Sequence, residues 1–484
     1  MIASNDAKRA ARLHKSPDSG RFFVTIPNAE SAESETARPL VDASDPTAPA
    51  PPAERATVWL LSAIYGAFYF CRTNISAALP GIQKLAEDGG LGLSNQQTGS
   101  IQAISKITYG VGQLFNGQLS EYFSPRWLLA IGMFGSAGLN VAFAQSVRFE
   151  TLYLIWALNG YAQSLGWTPV VRVIGNWTPA LRRGRAIGIV GMGYQVTLGL
   201  TYLVASYSAQ FMGWRGALYA PAAILAAMGV AMLLFLKDAP GEPLAVAPDR
   251  LPGGSVPKTA AALSDVSSSA RPTSAVRRAI ETIVLTLSNP GLWILGVTLA
   301  LLNACRYGFV DWGISHLVDV QKSELGAAGL KYGVFAIGAV AGSFLTGWAT
   351  DRFFGGRRAP VISGLMVVLA ILTVLYHWAA STSGTATVVL LVLIGFCVFG
   401  PQVLLVGTAP ADLARRGTPA AAAGFVNFLG YMGAAAGDYI TGYYKQESHG
   451  GWRVAIYIWA GWALAAAFTS AMLWNARPQT QATK

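Results

Sequence analysis

Arg72 and Arg306 each stand inside a long apolar stretch, in matching words: residues 69–74 read YFCRTN and residues 303–308 read NACRYG. In both, a cysteine precedes the arginine and an aromatic residue is close by. A guanidinium is planar and permanently charged, and its fork of N–H donors fits two oxygens of one phosphate or carboxylate. A charge at mid-membrane costs about 2.5–3.5 kcal/mol on the insertion scale, so such residues face a cavity or a partner. The separation, 306 − 72 = 234, is close to half of the 484 residues. Two cations at equivalent points of two halves suggest one central anion site.

Lys106 is a third cation in apolar surroundings, a compact charge rather than a fork. At a rise of 1.5 Å per residue, Arg72 lies roughly 21–24 Å along its span and Arg306 roughly 21 Å. Lys106, on a span running the other way, falls roughly 18 Å from the same face of a core about 30 Å thick. Snorkelling suits cations near helix ends; three at this depth call for a water-filled cavity. The carboxylates nearby are Asp311, five residues after Arg306, and Asp438, toward the outer end of its span. Even if each pairs with a cation, one positive charge remains, so the site wants an anion. Asp438 has two open readings, a gate or substrate role and an interfacial charge at the outer rim. Tyr65, Tyr69 and Tyr194 offer either hydroxyl donors to the anion or aromatic packing.

The elements that position these residues follow from composition. The chain is 53% hydrophobic and only 12% charged, where a soluble protein carries about a quarter charged residues. This places it in the membrane class. The net charge of +11 does not indicate nucleic acid, because the basic residues fall in short loops between apolar runs. Spans of about 20 apolar residues are expected at 56–80, 98–119, 127–144, 151–175, 186–207, 216–236, 292–318, 330–349, 359–379, 385–407, 419–444 and 453–473. The expected fold is all-α, twelve transmembrane helices in two six-helix bundles. Residues 1–55 read as a disordered cytoplasmic tail, 56–236 and 292–474 as the bundles, 237–291 as a cytoplasmic linker ending in a surface helix, and 475–484 as a second tail.

Basic clusters follow alternate spans (Arg182, Arg183 and Arg185; Arg357 and Arg358; Arg415 and Arg416), so both termini are expected in the cytoplasm. Glu121, Arg126, Asp351 and Arg352 are expected at a cytoplasmic gate, and serve equally as orientation signals. The halves repeat: GQLSE at 117 answers GWATD at 347, offset 347 − 117 = 230, and RRG at 182 answers RRG at 415, offset 415 − 182 = 233. That agreement implies a duplicated six-helix unit. Cys71, Cys305 and Cys397 read as small core residues. No nucleophile motif, nucleotide loop or metal-ligand spacing is found, so neither an enzyme nor a cofactor is expected.

Several words carry a family resemblance: residues 69–72 (YFCR), 105–106 (SK), 159–169 (NGYAQSLGWTP), 306–312 (RYGFVDW) and 424–433, with the more general loop motif 347–358. From about residue 56 to 474, outside the linker, the chain resembles the major facilitator superfamily. Within it, the chain resembles the organophosphate:phosphate antiporters, which include glycerol-3-phosphate, hexose-phosphate and phosphoglycerate transporters. The resemblance implies that Arg72 and Arg306 clamp the phosphate and that Lys106 belongs to a positively charged pore. It also implies that Asp311 exchanges salt-bridge partners and that Tyr65 and Tyr69 line the pore. Thr73 stands where some members carry lysine, Tyr194 where glycerol-phosphate carriers have a site histidine, and Thr168 where proline is usual. The implied partners are an organophosphate, inorganic phosphate and the lipid bilayer, and a monomer should suffice. The implied activity is exchange by alternating access, in a bacterial inner membrane. A transporter-like receptor, and a proton-coupled carrier of a phosphonate or other organic anion, remain the alternative readings.

Overall fold

The computed structural model describes residues 12–15, 22–25, 50–241, 281–414 and 418–476. Within the expected tail, β1 (Arg12–Lys15) pairs antiparallel with β2 (Phe22–Thr25), Arg12 opposite Thr25. The remainder of that tail, the linker from 242 to 280, Arg415 and Arg416, and the end from 477 lie outside the described residues. Residues 281–287 are helical, where the linker was expected to end in a surface helix.

The first half is built of α1 (Pro52–Phe68), α2 (Ile75–Ile82), α3 (Asn95–Tyr122), α4 (Pro125–Gln145), α5 (Phe149–Ser164), α6 (Trp167–Trp177), α7 (Ala180–Met212) and α8 (Gly216–Phe235). The second consists of α9 (Pro290–Val320), α10 (Leu325–Gly333), α11 (Phe335–Phe353), α12 (Arg358–Thr382), α13 (Gly384–Val403), α14 (Ala409–Leu413), α15 (Pro419–Tyr444) and α16 (Gly451–Ala471). Local sequence sets the helix ends. Ser94 accepts from the Gln97 N–H while the Gln97 side chain accepts from the Ser94 N–H, a capping box that starts α3. Asn289 caps α9 with Pro290 in its first turn, and Gly213, at φ +68°, ends α7 where a side chain would be strained.

Eight of these segments are long and apolar enough to cross a membrane: Pro125–Gln145, Arg182–Met212, Gly216–Phe235, Pro290–Val320, Leu325–Phe353, Arg358–Thr382, Gly384–Leu413 and Gly451–Ala471. The other four expected spans correspond to α1–α2, α3, α5–α6 and α15. The first and third are interrupted, and the second and fourth carry Gln, Asn, Lys or Asp in mid-helix. Large apolar side chains such as Phe115, Ile131, Phe211, Phe344 and Phe468 remain exposed on the outer faces, as a lipid-facing surface requires.

Packing repeats between halves. In the first, α1 packs on α7, α3 on α5 and α4 on α8; in the second, α9 packs on α15, α11 on α13 and α12 on α16. By the repeat these are the same three pairings. The halves meet through α3 against α15 and α7 against α10 and α11, with α2 against α9. Close helix approach depends on glycine: a Cβ at Gly433 would sit 2.2 Å from the Ala300 carbonyl oxygen, drawing α15 onto α9.

Candidate functional site

Helix α1 ends at Phe68, and a single 3₁₀ turn, Tyr69–Cys71, precedes Arg72 and the start of α2. The break frees Arg72 to reach sideways to α5. Its Nε donates to Gln163 Oε1 at 3.0 Å and its Nη2 to the Gln163 carbonyl at 3.4 Å. Gln163 is held in turn: its Nε2 donates to the Phe68 carbonyl at 3.1 Å and to Ser136 Oγ at 2.7 Å, and Ser136 donates to Asn159 at 2.6 Å. The guanidinium carbon lies 4.6 Å from the ring centres of both Tyr69 and Tyr109 and 6.0 Å from that of Tyr65. Its buried Nη1 has no partner.

Arg306 lies within the unbroken α9 and is 3% exposed. Its Nη1 donates weakly to Asn303 Oδ1 at 3.5 Å, and its Nε has no partner. The Tyr307 and Phe399 rings lie 4.8 Å from it. Among the described residues neither arginine pairs with a carboxylate. Both therefore present unpaired N–H donors among aromatic rings, where cation–π contact holds a charge without satisfying its hydrogen-bonding capacity.

Lys106 is arranged differently. Its Nζ lies 2.6 Å from Asp311 Oδ2 and 3.3 Å from Asp438 Oδ2. Both carboxylates converge on this one ammonium rather than one of them reaching an arginine. Asp438 is fully buried and takes a 3.3 Å hydrogen bond from Trp312 Nε1, which places it inside the bundle and not at a rim. The Tyr307 ring, 4.6 Å from Lys106 Nζ, touches Arg306 as well and so links the two groups. A small cavity of about 20 Å³, room for about one water, has Arg72, Lys106, Tyr109, Gln163, Tyr307 and Tyr431 in its wall.

Tyr65, Tyr69 and Tyr194 gather on one side of Arg72: the Tyr69 and Tyr194 rings stack at 4.8 Å, and Tyr65 meets them edge-on at 6.1 and 5.8 Å. Tyr109 and Tyr431, 4.4 Å apart, close the other side. Sequence reasoning missed this second pair and the bracing by Gln163. Tyr109 is three residues after Lys106 and so on its helix face, which was the available signal.

The ends of the bundle differ. At the end where α3 starts, Lys445 Nζ lies 3.0 Å from Asp319 Oδ2 and 3.0 Å from Gln83 Oε1, Gln96 donates to the Tyr439 hydroxyl at 2.9 Å, and the Gly326 N–H to Gln210 at 3.1 Å. Three of these contacts join the halves directly, and Lys445 draws Asp319 to Gln83. At the end where α3 stops, the ion pairs Arg182–Glu54 (2.7 Å), Arg358–Asp351 (2.8 Å) and Arg358–Asp412 (3.3 Å) each stay within one half. Of the expected gate residues, Asp351 is thus taken by Arg358. Arg126 donates through its backbone N–H to Asp238 at 2.9 Å and through its guanidinium to the Leu233 carbonyl. Arg352 is exposed, and the Glu121 side chain lies outside the described residues. Among the described residues no cluster of His, Cys, Asp and Glu could hold a metal ion.

Comparison with known proteins places this geometry in context. The Major Facilitator Superfamily profile matches residues 61–438. A "Probable hexose phosphate transport protein" of Chlamydia trachomatis is 28% identical over 427 residues, covering 86% of this chain and 90% of the relative. A "Glycerol-3-phosphate transporter" of Bacillus subtilis is 28% identical over 381 residues, covering 77% and 81%. A "Membrane sensor protein UhpC" of Escherichia coli is 27% identical over 381 residues, covering 78% and 82%.

Proposed function

The chain belongs to the Major Facilitator Superfamily, and from that premise we propose that this multi-pass membrane protein is a secondary transporter exchanging an organophosphate for inorganic phosphate. The observation that carries the reading is the pair of buried guanidiniums, Arg72 and Arg306, one from each half. Both lie against aromatic rings and, among the described residues, pair with no carboxylate. The relatives named for hexose phosphate and glycerol-3-phosphate transport support the substrate class. In this reading twelve spans cross a bacterial inner membrane with both termini in the cytoplasm, and one monomer is the working unit.

The mechanism follows from the charges. With the site empty, each half holds one guanidinium without a counter-ion, and bringing the two together without an anion would leave both desolvated and repelling. A phosphate that accepts from Arg72 on one side and Arg306 on the other removes the repulsion and draws the halves in. The end joined by the Lys445 contacts is then the closed one, and the end whose ion pairs, among the described residues, stay within each half is the one that opens. Rocking about the bound anion exchanges the two. Because the empty carrier returns with difficulty, one anion leaves as another enters. Asp351, Arg358, Arg126 and their partners brace helices at the opening end.

The test is counterflow. Protein reconstituted into liposomes loaded with phosphate should take up radiolabelled phosphate, and Arg72→Lys or Arg306→Lys should abolish uptake with folded protein retained. Lysine keeps the charge but not the fork, so robust exchange in either variant would overturn the clamp. A second reading, an organophosphate receptor, is favoured by the likeness to a membrane sensor. Saturable phosphate binding without counterflow would select it.

A further inference from the structure

The Lys106 cluster contains more carboxylate than cation. Asp311 and Asp438 both approach one ammonium, and both are fully buried. The groups facing Asp438 are Lys106 from α3 and, from α9, Asp311 together with the Trp312 N–H; Trp459 of α16 donates to Thr441 instead. Among the described residues no second basic side chain pairs with either acid. Asp438 Oδ2 has only its 3.3 Å approach to Lys106, and among the described residues Asp311 Oδ1 does not have a hydrogen-bond partner. Nor do both polar atoms of the Gln102 side chain, one helical turn before Lys106, or Ser315 Oγ, one turn after Asp311.

Two ionised carboxylates sharing one ammonium in a dry interior leave a net negative charge and an orphaned acceptor oxygen on Asp311, a costly arrangement. Something positive must complete the group. A substrate ammonium does not fit the access: Lys106 lies in the cavity wall beside Arg72, whereas neither carboxylate does. A proton needs only water to reach them, and the orphaned atoms of Gln102 and Ser315 supply partners for such water.

We infer that Asp311 and Asp438 form a proton-binding site organised by Lys106, and that its proton is carried together with the anion. The inference rests on the transport reading above and adds a co-substrate to it. One proton leaves water on the open side and forms an O–H bond on one carboxylate, while Lys106 keeps the other as its partner. Both arginines, Lys106 and two ionised acids sum to one positive charge, the match for a monoanion. With the proton bound the sum is two, the match for a dianionic phosphate. After the halves rock, the O–H bond breaks and the proton returns to water on the other side.

The experiment uses proteoliposomes with the membrane potential clamped at zero and no internal anion, given radiolabelled phosphate with the outside one pH unit more acidic. Uptake is followed to steady state, so that the slow return of the empty carrier limits the rate and not the final ratio. A dianion carried with one proton moves one net negative charge, so with the potential clamped at zero the dianion accumulates about tenfold, one pH unit being a factor of ten in proton activity. In Asp438→Asn the steady-state accumulation should fall to about onefold; that ratio reports stoichiometry and not rate, so it is read at whatever counterflow rate the variant retains, and the variant also controls for the titration of phosphate itself. Infrared difference spectra should contain a protonated carboxyl band that Asp438→Asn or Asp311→Asn removes. Gradient-driven accumulation in Asp438→Asn equal to wild type would overturn the inference, as would the absence of that band. Wild-type protein that exchanges phosphate yet ignores the gradient would overturn it while sparing the transport reading. Absence of exchange in wild type at any pH would bring down both.

Discussion

Replacing Gln163 with glutamate tests the site at its most sensitive joint. Gln163 Oε1 accepts from Arg72 Nε at 3.0 Å, so Gln163→Glu puts a carboxylate oxygen where a neutral amide oxygen stood, with no change in size. Arg72 then acquires an ionic partner of its own, and a phosphate must compete with it. Hydrogen bonds to charged groups are worth about 1.5–3 kcal/mol, so phosphate affinity should fall roughly 10- to 150-fold. The side chain also loses its donor to the Phe68 carbonyl and Ser136, which should cost about 1–3 kcal/mol of stability. Gln163→Met separates the two effects, since it loses the same donor without adding charge. The assay is phosphate binding by titration calorimetry on detergent-purified protein, with thermal melting measured in parallel. Gln163→Met should melt early yet bind within a few-fold of wild type. Gln163→Glu should melt early and bind weakly. If folded Gln163→Glu binds phosphate as wild type does, Arg72 does not ligate the anion.

Three further outcomes follow from the same geometry. Lys106→Met strands Asp311 and Asp438 beside each other and should cost about 3–5 kcal/mol, read as lost folded yield; adding Asp311→Asn and Asp438→Asn should recover most of it. Gly433→Ala forces a methyl against the Ala300 backbone and should reduce folded protein, whereas Gly424→Ala, which meets no atom within 4 Å, should not; equal yields would refute the close approach of α15 and α9. Lys445→Met removes the bonds to Gln83 and Asp319. In a background with Cys71, Cys305 and Cys397 replaced by serine, it should speed labelling of a cysteine placed at Gln102 by an impermeant thiol reagent; unchanged labelling would mean that Lys445 does not hold that end closed.

How much of this was legible in the sequence depended on whether a residue's meaning is local. Arg72, Arg306 and Lys106 stand out because a charge in an apolar run is expensive wherever the run goes, and the 234-residue offset needs only counting. The partner of Lys106 was not legible, because Asp311 is 205 residues away and Asp438 farther still. Pairing each acid with a different cation was as reasonable beforehand as placing both on one. Depth along a helix put Asp438 near an outer end, yet the packing of α3, α9 and α15 covers it completely. The helix break at Tyr69–Cys71 carries no proline at the break itself, so nothing local announced it. Hydropathy is weakest at the site for the same reason the site exists: α1–α2, α3, α5–α6 and α15 supply Arg72, Lys106, Gln163 and Asp438. Polar residues and interruptions keep all four outside the long apolar helices.

The division of charges explains how the fold tolerates three buried cations while leaving two of them available to an anion. An arginine that already had a carboxylate would have to surrender it before taking phosphate, and breaking a buried pair is costly. Placing both acids on Lys106 keeps the arginines available. Rings at 4.6–4.8 Å steady them in place of counter-ions, at about 0.5–2 kcal/mol each, too little to outbid an ionic partner. The acids on Lys106 also couple the halves: the ammonium comes from α3 of the first, the carboxylates from α9 and α15 of the second. Tyr307 touches Lys106 and Arg306 together, so an anion that pulls Arg306 toward Arg72 must also shift the ring against Lys106. On the proposed function, binding at the clamp and the state of the acid cluster would then be one mechanical unit, which is what a carrier needs if its cargo is to decide when the halves move.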